Sequence, residues 1–358
     1  MKRIDELVAK ARRRRLDLVF VHGEANLRAL TGIVCDNGLL VLDAASDAPP
    51  VFYTDFRYLP MARRVAGKDS GLLIRDIAKF PERRRGAAAP CRIGYEGSIT
   101  ASLLLLFQKK FPRAKFVDVA DDLLLLRAVK DPLEVSAIAA AAAINDRIWC
   151  EARREIKSGM TEKDIQRVIR AWMNALGDGE AFETIVCAGA NAAECHHVPD
   201  DTVWRHGDPL LVDMGVKLNG FCTDMTRCIP ARAGADPEYD LVYDLVLEAN
   251  ETAIAAVRPG ITGRQLDAIA RRIIRRAGYG RAFGHGLGHG VGYEIHEWPV
   301  ASKRAERADV VLKPGMVFTI EPGIYLEGHL GVRIEDLVIV TDEGCEVLSS
   351  SPKRRRNG

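Results

Sequence analysis

The chain has 358 residues, of which 47% are apolar and 28% charged, and its formal net charge is +2 at pH 7. That length suits two domains better than one, and the composition is that of a soluble globular chain. The near-neutral balance gives no electrostatic case for nucleic acid or an anionic membrane, and no run of about 18 apolar residues is present to span a bilayer.

In chain order, the N-terminus carries Asp5 and Glu6 and reads as an amphipathic helix through Ile4, Leu7, Val8 and Ala11, not as a secretory leader. Short apolar runs at residues 16–22, 38–42 and 50–54 read as strands, and residues 58–66 and 99–111 as helices. Such alternation predicts an α/β domain. Lys130-Asp131-Pro132 breaks the pattern, and a long alanine-rich helix is expected from Pro132, a residue suited to a first helical turn. The expected organisation is an α/β domain over 1–127, a linker over 128–132, a second domain over 133–351 and a basic disordered tail over 352–358. Lys353-Arg354-Arg355-Arg356 is read as a solvated terminus and not as a nucleic-acid patch. The eight cysteines are scattered without a Cys-x-x-Cys pair, which suits reduced thiols in a cytoplasm.

The second domain carries an internal repeat. Ile156-Lys157-Ser158-Gly159-Met160-Thr161 is echoed, 101 residues on, by Val257-Arg258-Pro259-Gly260-Ile261-Thr262. Each copy lies between two helical stretches, with Ile165 and Val168 matching Leu266 and Ile269. A duplicated α–β half predicts a pseudo-symmetric domain with its site between the halves.

Two hairpins and a histidine strand carry the chemistry. Strand-like runs around Leu218-Asn219-Gly220 contain Asp213 and Asp224. A hairpin centred near Leu218–Asn219 sets these two directly opposite, where like charges repel. Both sit among apolar residues, where an unpaired carboxylate costs several kcal/mol, and a bound cation removes both penalties. The arrangement recurs at Glu321 and Glu335, which flank a turn near Gly328. Between the hairpins runs Gly284-His285-Gly286-Leu287-Gly288-His289-Gly290-Val291-Gly292, followed by His296. Glycine at every second position suggests a strand with close backbone approach and does not fit a dinucleotide fingerprint. His285 and His289 share parity on it, and Cys195-His196-His197 adds two more imidazoles. Four carboxylates and a histidine suit a pair of divalent ions such as Mn²⁺, Co²⁺, Fe²⁺ or Zn²⁺. Such a pair, about 3.5–4 Å apart, holds a bridging water and polarises a carbonyl.

These residues resemble the creatinase/aminopeptidase P/prolidase family (metallopeptidase family M24), in its Xaa-Pro peptidase branch. The N-terminal part is similar at Ala29-Leu30-Thr31-Gly32, Thr54-Asp55-Phe56-Arg57-Tyr58 and Ile93-Gly94-Tyr95-Glu96-Gly97. The second part is similar at Gly189 with Asn191, His196-His197-x-Pro199, Asp213 with Asp224, the glycine–histidine strand, Glu321-Pro322-Gly323 and Val332-Arg333-Ile334-Glu335-Asp336. The resemblance implies an α/β creatinase-like N-terminal domain and an α+β pita-bread catalytic domain with a pseudo-twofold repeat. It implies two metals held by Asp213, Asp224, His289, Glu321 and Glu335, with Asp224 and Glu335 bridging. It also implies Glu321 as proton acceptor, with His196, His285 and His296 contacting substrate and stabilising the tetrahedral intermediate. The implied reaction is hydrolysis of the Xaa-Pro bond at the N-terminus of peptides or dipeptides by a hydroxide bridging the metals, commonly in a cytoplasmic homodimer.

Two departures bear on specificity. Glu194-Cys195 replaces a proline-containing lead-in to the histidine pair, and Val300 stands where many relatives carry an arginine that reads the proline end. Arg304, Arg307 and Arg333 are the nearby cations for a free proline carboxylate, with Arg307 in a position used by another branch. Arg307 and Arg333 are therefore candidate substrate-binding residues. Rival readings are a cysteine hydrolase built on Cys195, which strand alternation would turn away from His196, and a non-catalytic binding protein on the same fold, which should lack ligands that are all present here.

Overall fold

Helix α1 (Lys2–Arg13) forms where Ile4, Leu7 and Ala11 recur at helical spacing, and these three are its buried residues. The structure, a computed structural model, is described over residues 2–68, 70–81, 91–304 and 308–353. Strands β1 (Leu18–Val21), β2 (Gly38–Asp43), β3 (Val51–Thr54), β4 (Leu73–Asp76), β5 (Arg92–Tyr95) and β6 (Lys115–Asp118) alternate with helices α2 (Glu24–Thr31), α3 (Leu59–Ala66), α4 (Ala101–Lys110) and α5 (Ala120–Ala128). The strands make one sheet in the order β4-β3-β2-β1-β5-β6. Its β1-β2-β3 meander is antiparallel, and the outer strands join in parallel. Neighbouring residues divide between two apolar clusters. Val19, Leu40 and Phe52 enter one, while Phe20, Leu39 and Tyr53 enter the other. That is the period of two expected of a sheet covered on both faces. Met1–Arg127 form one compact unit and Ala128–Gly358 a second.

Residues 128–130 pack into the second unit, and Asp131 follows them at an exposed position. Ala128 is fully buried, Val129 bridges to Met316, and the Lys130 ammonium, 2% exposed, pairs with Glu297 at 3.1 Å. Removing one partner of such a buried pair costs about 3–5 kcal/mol. Helix α6 (Pro132–Glu155) then begins at its proline, with Asp131 and Glu134 closing a capping box. At the other end, Lys353 is anchored too: its Nζ lies 2.6 Å from Asp336 Oδ2 and 2.7 Å from Asn250 Oδ1. Residues 354–358 of the expected tail lie outside the described residues.

The first half of this unit runs α6, α7 (Glu162–Leu176), β7 (Ile185–Ala188), β8 (Leu210–Met214), β9 (Lys217–Leu218), β10 (Phe221–Cys222) and β11 (Met225–Ile229). The second runs α8 (Pro237–Ala256), α9 (Gly263–Arg276), β12 (Gly288–Gly290), β13 (Glu297–Ala301), β14 (Val317–Ile320), β15 (Gly323–Leu326), β16 (Leu330–Arg333), β17 (Asp336–Val340) and β18 (Cys345–Val347). The repeat is real at the level of local chemistry. Gly159 and Gly260 both take left-handed φ, 97° and 88°, before Thr161 and Thr262, which close capping boxes on α7 and α9. Each threonine also makes one isolated antiparallel bridge, to Val203 and to Val311. The strands gather into β11-β8-β7 and β13-β12-β14-β17-β18, with β9·β10 and β15·β16 as two small ladders. The expected α+β domain with a pseudo-twofold repeat is thus the observed architecture.

Candidate metal centre

Two hairpins deliver four carboxylates to one cavity. In the first, Asn219 and Gly220 take φ of 49° and 71°, so they are the turn, and Leu218 pairs with Phe221. Left-handed Asn-Gly is the preferred two-residue hairpin turn because its twist matches the strands. The ladder consequently sets Asp213 opposite Thr226 and not opposite Asp224. This corrects the expected direct pairing by two residues. A shift of two preserves parity, and both carboxylates line the same cavity. In the second hairpin, β14 pairs Ile320 with Asp336 and β15 pairs Gly323 with Arg333. One register runs through both ladders, so Glu321 and Glu335 stand opposite one another in the break between them. Asn250 of α8, fully buried, donates to Ile320 O at 2.9 Å and Ile334 O at 3.2 Å. Backbone carbonyls freed at that break are thereby satisfied. Buried Arg227 donates to the carbonyls of Thr226, Glu335 and Ser351 and pairs with Asp336 at 2.7 Å, fixing the backbone that bears Glu335.

His289 enters from β12. Its glycine neighbours are set by close approach: a Cβ on Gly288 would lie 1.9 Å from Thr319 O, and one on Gly290 2.1 Å from Trp298 O. Only glycines let β12 sit this tightly between β14 and β13. His289 Nε2 reaches within 3.5 Å of Asp224 Oδ2 and 3.6 Å of Glu321 Oε1. Donor atoms of Asp224, His289 and Glu335 all lie within 4.8 Å of one another.

The cavity, of about 560 Å³, is lined by Asp213, Asp224, Glu321, Glu335, His289, His196, His285, His296 and Arg333 together. Val300 lines it as well, and Arg307 lies outside the described residues. Cys195 and His196 sit in a turn and not on a strand, so both line the cavity; among the described residues no hydrogen bond joins the Cys195 thiol to a histidine. Arg333 ties the centre together. Its guanidinium donates to Asp213 Oδ2 (2.8 Å), Thr226 Oγ1 (2.9 Å) and Tyr325 Oη (2.9 Å). Thr226 Oγ1 in turn donates to Glu335 Oε2 at 2.7 Å. His285 has both ring nitrogens engaged, Nδ1 with Gly286 O at 2.7 Å and Nε2 with Tyr325 Oη at 2.8 Å. A carbonyl only accepts, so Nδ1 carries the hydrogen and the Tyr325 hydroxyl donates to Nε2. The rings of His196 and His296 have no hydrogen-bond partner among the described residues.

Charge is unbalanced here. Four carboxylates face one guanidinium, and burial followed by mutual repulsion pushes Asp224 and Glu335 well above the usual carboxylate range. Burial pushes Glu321 up to about 8 against the pull of Arg333. Burial also lowers His285 and His289 to about 4, so both imidazoles are neutral at pH 7. Asp213 Oδ1 is buried without a hydrogen-bond partner among the described residues. An oxygen-rich set with one neutral imidazole, an orphaned carboxylate oxygen and excess negative charge fits divalent cations. Asp213, Asp224, His289, Glu321 and Glu335 could hold them.

Sequence reasoning did not single out Asn250, Arg227, Thr226 or Tyr325. Asn250 gave a signal, being an amide in an apolar helical stripe with Tyr243, Val246 and Ala253.

A duplicated α+β unit with two acidic hairpins and a histidine strand around one cavity is the pita-bread arrangement of metal-dependent hydrolases. Residues 136–342 match metallopeptidase family M24, and residues 3–129 match the creatinase/prolidase N-terminal domain. An Xaa-Pro dipeptidase of Pyrococcus furiosus is 33% identical over 98% of this chain and 99% of its own length. A solved Xaa-Pro dipeptidase from Bacillus anthracis is 31% identical, covers 99% of this chain and 98% of its own, and superposes with a TM-score of 0.89. An X-Pro aminopeptidase from Thermotoga maritima is 32% identical, covers 96% and 99%, and has a TM-score of 0.82. The chain belongs to metallopeptidase family M24.

Proposed function

We propose that this metallopeptidase uses two divalent ions to hydrolyse the bond between an N-terminal residue and proline, in both dipeptides and longer peptides. The observation that carries the reading is the crowding of Asp224, Glu321 and Glu335 around His289, an arrangement that bound cations relieve. The proline preference rests on relatives of both kinds, a dipeptidase and an aminopeptidase, each similar over nearly the whole chain. Asp213, Asp224, His289, Glu321 and Glu335 would hold the metals, with Mn²⁺, Co²⁺, Zn²⁺ and Fe²⁺ the candidates. Bound there, the ions supply a Lewis acid for the scissile carbonyl and a water of lowered pKa.

The chain's own groups do the rest. A Glu321 carboxylate oxygen accepts the proton of the attacking water and passes it to the leaving proline nitrogen. His296 and His196, whose ring nitrogens have no hydrogen-bond partner among the described residues, present N–H groups to the charge developing on the carbonyl oxygen. His285 is already bound on both nitrogens, so it holds Tyr325, and through it Arg333, in place. Arg333 fixes Asp213 and is not free to leave it. Proline lacks a backbone N–H, so its ring needs no acceptor from the apolar wall of Phe182, Ile185, Ile295 and Val300.

The test is kcat/KM for Ala-Pro, Ala-Pro-Ala and Ala-Ala, measured after chelation and again after adding Mn²⁺, Co²⁺ or Zn²⁺. Metal-restored cleavage of both proline substrates is expected, with Ala-Ala at least about tenfold poorer. Cleavage of Ala-Ala at the same rate contradicts the proline reading. Full turnover after chelation contradicts the metal reading, and no turnover on any of the three favours a binding protein.

A further inference from the structure

A second acid–imidazole cluster lies outside the five-residue set. Glu162, the first residue of α7, is fully buried. Its Oε1 accepts from Ala188 N–H at 2.6 Å and Asn191 Nδ2 at 3.0 Å. Its Oε2 accepts from His197 Nε2 at 2.7 Å and Asp200 N–H at 2.9 Å. A carboxylate only accepts, so His197 Nε2 carries the hydrogen. Glu162, His197 and Asp200 lie close enough to suggest a metal site. The four donors, however, already occupy the lone-pair directions of Glu162, and Asp200 Oδ1 is taken by Thr202 N–H at 2.7 Å.

These donors bracket one segment. Ala188 and Asn191 precede His196, and His197 and Asp200 follow it. The opposite side is backed by β16, the strand of Arg333: a Cβ on Gly331 would fall 1.7 Å from Ala192 O. His197 Nδ1 faces the exposed Glu194 carboxylate at 3.6 Å. In this adjacent pair, one imidazole is thus pinned to a buried carboxylate while the other, His196, lines the catalytic cavity with no hydrogen-bond partner among the described residues.

We propose that Glu162, acting through His197, is a positioning residue that sets His196 against the substrate, an inference that rests on the substrate role given to His196 above. Neither Glu162 nor His197 needs to touch substrate. One carboxylate gathers four donors, and losing its charge frees the segment on both sides of His196.

A double-mutant cycle tests this with Ala-Pro as substrate and bound metal counted in every variant. Glu162→Gln is expected to lower kcat about tenfold with KM changed less than about twofold. In a His196→Ala background the same change should cost less than about twofold, because the residue it acts through is gone. Metal content should equal that of the wild type. His197→Gln, which keeps an N–H for Glu162, should retain more kcat than His197→Leu. Equal losses in both backgrounds overturn the proposal, as does a fall in bound metal, which would make the cluster a metal site. A silent His196→Ala would instead remove the role of His196 itself. If Glu162→Gln does not fold, the cycle between His197→Leu and His196→Ala reads the same coupling and decides in the same way.

Discussion

Asp224→Asn is expected to lower kcat/KM by at least about a thousandfold, equivalent to about 4 kcal/mol of transition-state stabilisation, in a protein that stays folded. Asp224 is buried, and its carboxyl is raised by that burial and then by Glu335, Asp213 and Glu321. Asparagine keeps the shape of a carboxyl whose charged form is already disfavoured by burial and by its acidic neighbours, so the metal-free fold loses no favourable ion pair. The effect falls on cation binding, because an amide oxygen is a weaker donor to a divalent ion and neutralises none of its charge. Steady-state kinetics in saturating Mn²⁺, beside denaturant unfolding without metal, separate the two effects. A variant that binds two metals and turns over at a near-normal rate contradicts the role given to Asp224.

The second large effect is expected at His296. His296→Ala should lower kcat about a hundredfold while KM changes less than about threefold. The ring packs edge-on against His289, with centroids 4.3 Å apart, and burial lowers its pKa, so it is neutral at pH 7. A neutral imidazole offers one N–H, which counts most when charge appears on the carbonyl oxygen. His296→Gln, which keeps an N–H donor, should recover part of the loss. A change confined to KM would make His296 a ground-state binding residue.

Much of this centre was legible because parity is robust. Asp213 with Asp224, and Glu321 with Glu335, could be placed by counting residues across hairpins. The first count was off by two because Asn219 takes a left-handed conformation beside Gly220, yet an even shift leaves the face unchanged. Strands β4 and β6 were illegible for a different reason. Residues of β4 are all half-buried and those of β6 are half-buried or exposed, so their apolar alternation is weak. Glu162 was hidden by its position: an acidic first-turn residue reads as a response to the helix dipole, and only the folded loop shows its four donors. Tyr325 was equally silent, since its partners His285 and Arg333 lie 40 and 8 residues away along the chain. Residues 128–132 looked like a linker because Lys130-Asp131-Pro132 breaks the pattern, whereas Lys130 is buried against Glu297, 167 residues on.

The most direct measurement is a calorimetric titration of Mn²⁺ into metal-free protein, run in two buffers of different ionisation enthalpy. The carboxylates of Asp224 and Glu335 are raised well above their ordinary range, and Glu321 is pushed up to about 8, so the empty centre holds protons at pH 7. Cations must displace them, and uptake should strengthen as the pH rises from 6 to 8. The account predicts two ions per chain with net release of protons. One ion or none, or binding equally tight at both pH values without proton exchange, would contradict it.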